Sequence, residues 1–181
     1  MYEEIFDYTG PLSVFFYRII DNVFGKSQQA HHFISTIWLF LNAIIFNSLL
    51  KRNKNFSENN DLPALFFVLF AASIPDFMAL SPQMMSMTFI LLGFYNVLER
   101  IANEDTDDLF LYTGIYVGIA TLFYPPAGVF FFLFLISFFL YSTAKLRRIG
   151  LYFNGFLIPL GLMVCFFYWH DNGFHAWHAL V

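Results

Sequence analysis

The stretch AHHFISTIWLFLNAIIFNSLL, residues 30–50, decides the fold. A helix rises about 1.5 Å per residue and a bilayer's hydrocarbon core is roughly 30 Å thick, so about 20 mostly apolar residues in one helix cross it. This run has that length and closes on Lys51, Arg52 and Lys54. Its interior polar residues, Asn42 and Asn47, suit a bond across to another helix better than a substrate contact, because an amide in hydrocarbon needs a partner.

Five more apolar runs follow, at about 62–80, 82–99, 109–124, 126–144 and 149–169 by the same criterion. The second and third form a hairpin around Pro75-Asp76 and Ser81-Pro82; the fourth and fifth turn at Tyr124-Pro125-Pro126, where proline ends one helix and suits the first turn of the next. The sequence therefore predicts an all-α polytopic transmembrane bundle of about six spans. It divides into an interfacial segment (1–29), the bundle (30–169) and a C-terminal tail (170–181). Pro11 to Phe24 carries Leu12, Phe15, Phe16, Ile19, Ile20 and Val23 at mostly helical spacing with Arg18, Asp21 and Asn22 between them, the pattern of an amphipathic helix lying along a membrane surface. Glu3, Glu4 and Asp7 precede it where a signal peptide would carry basic residues.

Composition agrees. Of 181 residues, 59% are hydrophobic, 12% are charged and 27 are Phe, with a mean hydropathy of +0.61; a soluble domain has about 25% charged residues. The net charge of −4 and nine scattered basic residues supply no stripe for a nucleic acid. The lone Cys165 can neither close an intrachain disulfide nor build a thiolate cluster. No Gly-rich phosphate loop or Gly-x-Ser-x-Gly motif occurs, and no cofactor is implied.

Basic residues are retained in cytoplasmic loops. Lys51, Arg52, Lys54, Arg100, Lys145, Arg147 and Arg148 fall in loops of one parity, and only Arg18 and Lys26 in the other. Both termini are thus expected on the non-cytoplasmic side. Gly114-x-x-x-Gly118 in the fourth run lets two helix backbones approach closely. The fifth run, with Phe130, Phe131, Phe132, Phe134, Phe138 and Phe139, is bulky on nearly every face, which suits lipid or a partner subunit.

Candidate chemistry is sparse. Asp76 sits near the end of its run, as a structural cap or wet loop end in one reading and as a buried functional carboxylate in the other. His175-x-x-His178 with Asp171 has metal-ligand spacing, but with Trp169 and Trp177 beside it the set reads first as an interfacial aromatic belt. Met78, Met84, Met85 and Met87 read as apolar packing rather than a Cu(I) site.

The order Leu62-Pro63-Ala64-Leu65, Ile74-Pro75, Ser81-Pro82, Gly114-x-x-x-Gly118-Ile119-Ala120-Thr121-Leu122-Phe123-Tyr124-x-Pro126, then an aromatic helix ending in Lys145-x-Arg147-Arg148, resembles an uncharacterised multi-pass membrane family of Bacteroidetes. That resemblance implies a bacterial inner membrane. More loosely, the glycine-bearing helix leading to a proline resembles polyprenyl-phosphate-sugar glycosyltransferases with many membrane helices. These place catalytic acids in the first outer loop, which implies such a role for Glu3, Glu4 and Asp7. The chain departs from that pattern in having few helices and no room for a soluble domain.

Three functions remain on this reading. Apolar faces and few buried polar groups favour a non-catalytic subunit that stabilises a larger membrane complex, with lipid and other subunits as partners. The alternative is a lipid-linked-sugar transferase or lipid-handling enzyme with Glu3, Glu4, Asp7 or Asp76 as general base. The third is a small transporter, with Asn154-Gly155 and Pro159 unwinding the sixth span around a site near Asn42, Asn47 and Asp76.

Overall fold

The computed structural model describes residues 9–25, 28–52, 61–73, 80–102, 107–141 and 146–170. Among them are seven α-helices, one short 3-10 turn and no strand. The helices are α1 (Pro11–Phe24), α2 (Gln28–Arg52), α3 (Leu62–Ala72), α4 (Pro82–Ala102), α5 (Asp108–Phe123), α6 (Val129–Tyr141) and α7 (Leu146–His170), with the turn at Pro125–Gly128 between α5 and α6. Each of the six apolar runs contains a helix among the described residues. Two helices are long and apolar enough to cross a membrane, at His31–Lys51 and Leu146–Phe166; Leu62–Ala72, Asp108–Phe123 and Pro125–Leu140 are shorter apolar segments.

Local chemistry sets the boundaries. Pro11 opens α1, where its missing N–H is not needed, and Gly25 closes it at φ +68°, a left-handed conformation that glycine adopts without a Cβ penalty. Ser81 starts α4, its Oγ accepting the Met84 N–H at 3.2 Å. Tyr124, extended at φ −142° before Pro125, ends α5. Within the run read as 62–80, α3 ends at Ala72, where the Ser73 hydroxyl donates to the Leu69 carbonyl, and residues 74–79 lie outside the described residues.

α5 lies at the centre, in its closest contact with α7 on one side and α4 on the other. Against α7 the two backbones touch. A Cβ on Gly114 would overlap the Tyr152 carbonyl oxygen, one on Gly118 the Pro159 ring, and one on Gly155 the Leu111 carbonyl oxygen. From Asp107–Arg148 through Gly114–Tyr152 to Gly118–Pro159 the contacts ascend together along both helices, so α5 and α7 are parallel, with Arg148 Nε 2.6 Å from Asp107 Oδ1 at their common start. The guanidinium also sits 5.8 Å from the Phe110 ring centre.

α6 returns the chain between them, and here the expectation of an all-round lipid-facing helix is corrected. Phe131, Phe134 and Phe138 are buried while Phe132, Ile136, Phe139 and Leu140 are exposed. Spaced three and four residues apart, the buried three form one stripe. Phe131 stacks on Tyr152 at 4.8 Å, and the Tyr152 hydroxyl donates to the Phe131 carbonyl at 3.0 Å.

The expectation of an unwound sixth span is also corrected: α7 runs unbroken from Leu146 to His170 with Pro159 inside it. The Asn154 amide donates to the Gly150 carbonyl of its own helix and is exposed. The ring of Pro159 fills the space that Gly118 leaves on α5, so the proline is accommodated by its neighbour.

Candidate functional site

α1 lies across one end of the bundle, where α2 and α4 begin and α5 ends. The anchoring starts at Gly10, whose N–H donates to the Phe123 carbonyl at 3.0 Å and whose missing side chain leaves room for the Leu122 and Phe123 carbonyl oxygens. Ser13, fully buried, donates its hydroxyl to the Gly10 carbonyl at 2.6 Å and fixes the first turn. Phe16 meets Trp38 and Phe123 edge-on, at 5.5 and 6.4 Å between ring centres. Tyr17 donates its hydroxyl to the Leu80 carbonyl at 2.6 Å, and burial pushes the phenol's pKa above its ordinary value. Asp21 faces His31 at the start of α2, with Oδ1 and Nε2 2.9 Å apart.

Beneath this cap a polar network joins α2 to α4. Trp38 Nε1 donates to Thr88 Oγ1 at 2.8 Å, Thr88 donates to Asn42 Oδ1 at 2.7 Å, and Asn42 Nδ2 donates to the Met84 carbonyl at 3.2 Å. Ser35 donates to the Met84 sulfur at 3.8 Å. Asn42 thus spends its amide on helix α4. Asn47 lies lower on α2, and its Nδ2 reaches Asp61 Oδ1 at 2.5 Å beside Lys51 Nζ, 2.6 Å from the same oxygen. Met84 and Met85 are fully buried in the core.

Two carboxylate-bearing segments issue from the capped end. Residues 1–8, with Glu3, Glu4 and Asp7, lead into Thr9 and the anchored Gly10; residues 74–79, with Asp76, lead into Leu80, whose carbonyl Tyr17 holds. These four carboxylates lie outside the described residues, as do Asp171, His175 and His178. Among the described residues no group of three or more His, Cys, Asp or Glu is placed to hold a metal ion. What is described is a frame in which one amphipathic cap helix is tied by separate contacts to α2, α4, α5 and Leu80 ahead of α4.

Sequence reading missed Tyr17, Trp38, Thr88 and the pairing of Asp21 with His31. Trp38 and Thr88 are separated by a long stretch of chain and become partners only when α2 meets α4. Tyr17 falls at a position between the apolar residues of α1, where an amphipathic reading passes over it.

A helical membrane protein with an amphipathic cap helix at one end of its bundle is the class that this architecture defines. A family model described as dolichyl-phosphate-mannose-protein mannosyltransferase matches residues 9–169, and the chain belongs to that family. No curated protein matches the chain, and no solved structure does. Of the two resemblances read from the sequence, the match supports the looser one, to lipid-phosphate-sugar glycosyltransferases.

The family match overturns the expectation of a non-catalytic subunit. The structure also removes the premise of that expectation, a scarcity of buried polar groups: Ser13, Ser35, Asn42, Ser81, Ser86, Thr88, Asn96 and Thr113 are all buried. Five of them, Ser13, Ser35, Ser81, Asn42 and Thr88, bond within or beneath the cap.

Proposed function

We propose that the chain is a lipid-linked-sugar glycosyltransferase whose reaction takes place at the capped end of the bundle. The observation that carries this reading is the family match across residues 9–169, which includes the cap helix and all the bundle helices. The donor is a polyprenyl- or dolichyl-phosphate mannose and the acceptor a protein hydroxyl, in keeping with the family's description.

The chemistry needs one general base. The acceptor hydroxyl attacks the anomeric carbon, the bond from that carbon to the phosphate oxygen breaks, and the lipid phosphate leaves with the electron pair. The acceptor's proton passes to a carboxylate. Glu3, Glu4, Asp7 and Asp76 are the candidates, because the segments that carry them join the frame at Gly10 and Leu80. Asp7 is favoured. It stands three residues before Gly10, and an extended chain gains at most about 3.6 Å per residue, so it stays within about 11 Å of the anchor.

The reading includes six membrane crossings, an interfacial 1–29 segment, a 170–181 tail, and a bacterial inner membrane with both termini on the non-cytoplasmic side. The distribution of charge supports the orientation. Lys51, Arg147 and Arg148 stand at helix ends remote from α1, as the retention of basic residues on the cytoplasmic side requires.

The test uses the full chain in liposomes with polyprenyl-phosphate mannose and a hydroxyl-bearing peptide, following release of the lipid phosphate. Among Glu3→Gln, Glu4→Gln, Asp7→Asn and Asp76→Asn, at least one variant should slow release by about 10²- to 10⁴-fold, the range for loss of a general base. Release at the unaltered rate in all four, or none from the unaltered chain, would refute the reading.

A further inference from the structure

α7 presents two unlike sides. Tyr152, Gly155 and Pro159 turn inward onto α5 and α6. Gly150, Asn154, Leu157 and Gly161 fall within about 60° of one another on the opposite side, at roughly 100° per residue. Asn154, Leu157 and Gly161 are exposed. Among the described residues nothing lies within 4 Å of the point where a methyl group on Gly150 or Gly161 would sit.

Hydrocarbon alone selects a different kind of face. The exposed side of α6 carries Phe132, Ile136, Phe139 and Leu140, all bulky and apolar, whereas the outermost line of α7 holds two glycines and an amide. Asn154 stands eight residues into the span Leu146–Phe166. That is about 12 Å along the axis, inside the hydrocarbon where α7 crosses the membrane. Its Nδ2 donates to the Gly150 carbonyl of its own helix at 2.8 Å. An amide has two N–H donors and a carbonyl acceptor, so this bond leaves one donor and Oδ1 toward lipid, which can pair with neither. In a bilayer such a group is satisfied by another helix, and glycines beside it let the two backbones approach.

We propose that this line of Gly150, Asn154, Leu157 and Gly161 is the contact of a parallel homodimer in the bilayer, with the two Asn154 amides paired at its centre. The occupant is a second copy because the amide is complementary to itself. Copies inserted the same way are related by a two-fold axis along the membrane normal, which sets each residue near the axis against its own equivalent. Each Asn154 then donates to the Oδ1 of the other, and both are satisfied with no further chemistry. Alanine at Gly161 keeps the line small, whereas leucine at Gly150 fills it. This goes beyond the transferase reading and does not depend on it; it rests on α7 crossing the membrane.

The full chain in phosphatidylcholine–phosphatidylglycerol vesicles tests it, with energy transfer between chains dye-labelled at the N-terminus followed as added lipid dilutes the protein. Asn154→Leu should weaken the dimer by about 3- to 30-fold, the range of one interhelical polar contact. Gly150→Leu, a second change on open surface, should weaken it independently. On a Cys165→Ser background, a bismaleimide should join chains carrying Leu157→Cys and leave those carrying Ile136→Cys, on the exposed side of α6, as monomers. Transfer no greater than chance in the unaltered chain would show the line against lipid or a different protein and overturn the proposal. A dimer undiminished by Asn154→Leu and Gly150→Leu, or one that links through Ile136→Cys as readily as through Leu157→Cys, would place the contact elsewhere and overturn it equally.

Discussion

Three glycines decide how close α5 and α7 can come. Gly114, Gly118 and Gly155 leave no space for a Cβ, since each would meet backbone or the Pro159 ring rather than a movable side-chain tip. Gly114→Ala should therefore destabilise the chain by about 1–3 kcal/mol, the usual cost of overpacking. Gly161, on the exposed part of α7, has nothing within 4 Å of the point where a methyl group would sit. Gly161→Ala should be neutral or stabilising by up to about 1 kcal/mol, because alanine is the better helix former. Thermal unfolding in detergent compares the two, and equal effects would contradict the close approach. The Gly-x-x-x-Gly spacing was readable in the sequence. Its partner was not, because the Gly155 and Pro159 positions carry no label saying which helix they face. Asn42 shows the same boundary: an amide in hydrocarbon announces a need for partners, and only the meeting of α2 with α4 supplies Thr88 and the Met84 carbonyl.

At the scale of elements, the hydropathy runs located the long helices among the described residues to within a few residues. Length and hydropathy carry that information by themselves. Facing directions were less legible. α6 is apolar all round, so no period marks its inner stripe, and only the packing against Tyr152 selects Phe131, Phe134 and Phe138. On α1 the period was clear, but Tyr17, which bonds to Leu80, lies outside the apolar pattern.

The start of α3 offers a pH test. Asp61 accepts hydrogen bonds from Lys51 and Asn47, and with the Lys51 charge these hold its carboxyl below the usual aspartate value. A group with a depressed folded pKa stabilises above its unfolded value and loses that contribution as pH falls through the folded one. Stability should accordingly fall as acid is added below about pH 4, the usual aspartate range. Asp61→Asn should flatten this part of the pH profile, and added salt should shrink the difference, since Asp61 is exposed. Superimposable acid profiles for the two chains would show that the contact contributes nothing.

At the scale of the whole molecule, the bundle has two unlike ends. At one, the ion pairs Lys51–Asp61 and Arg148–Asp107 close the starts of α3, α5 and α7. At the other, α1 gathers α2, α4 and α5 under a cap and receives the segments that bear Glu3, Glu4, Asp7 and Asp76. The candidate carboxylates were legible as residue types in the sequence, and the frame that anchors their segments, through Gly10 and Tyr17, was not. The central claim is that a lipid-phosphate sugar meets the protein at the capped end. Photo-crosslinking tests this most directly, using polyprenyl-phosphate mannose with a diazirine on the isoprene unit next to the phosphate and the full chain in vesicles. The account predicts adducts within residues 1–25 and 73–82; adducts confined to residues 51–62 and 146–150, at the opposite end, would contradict it.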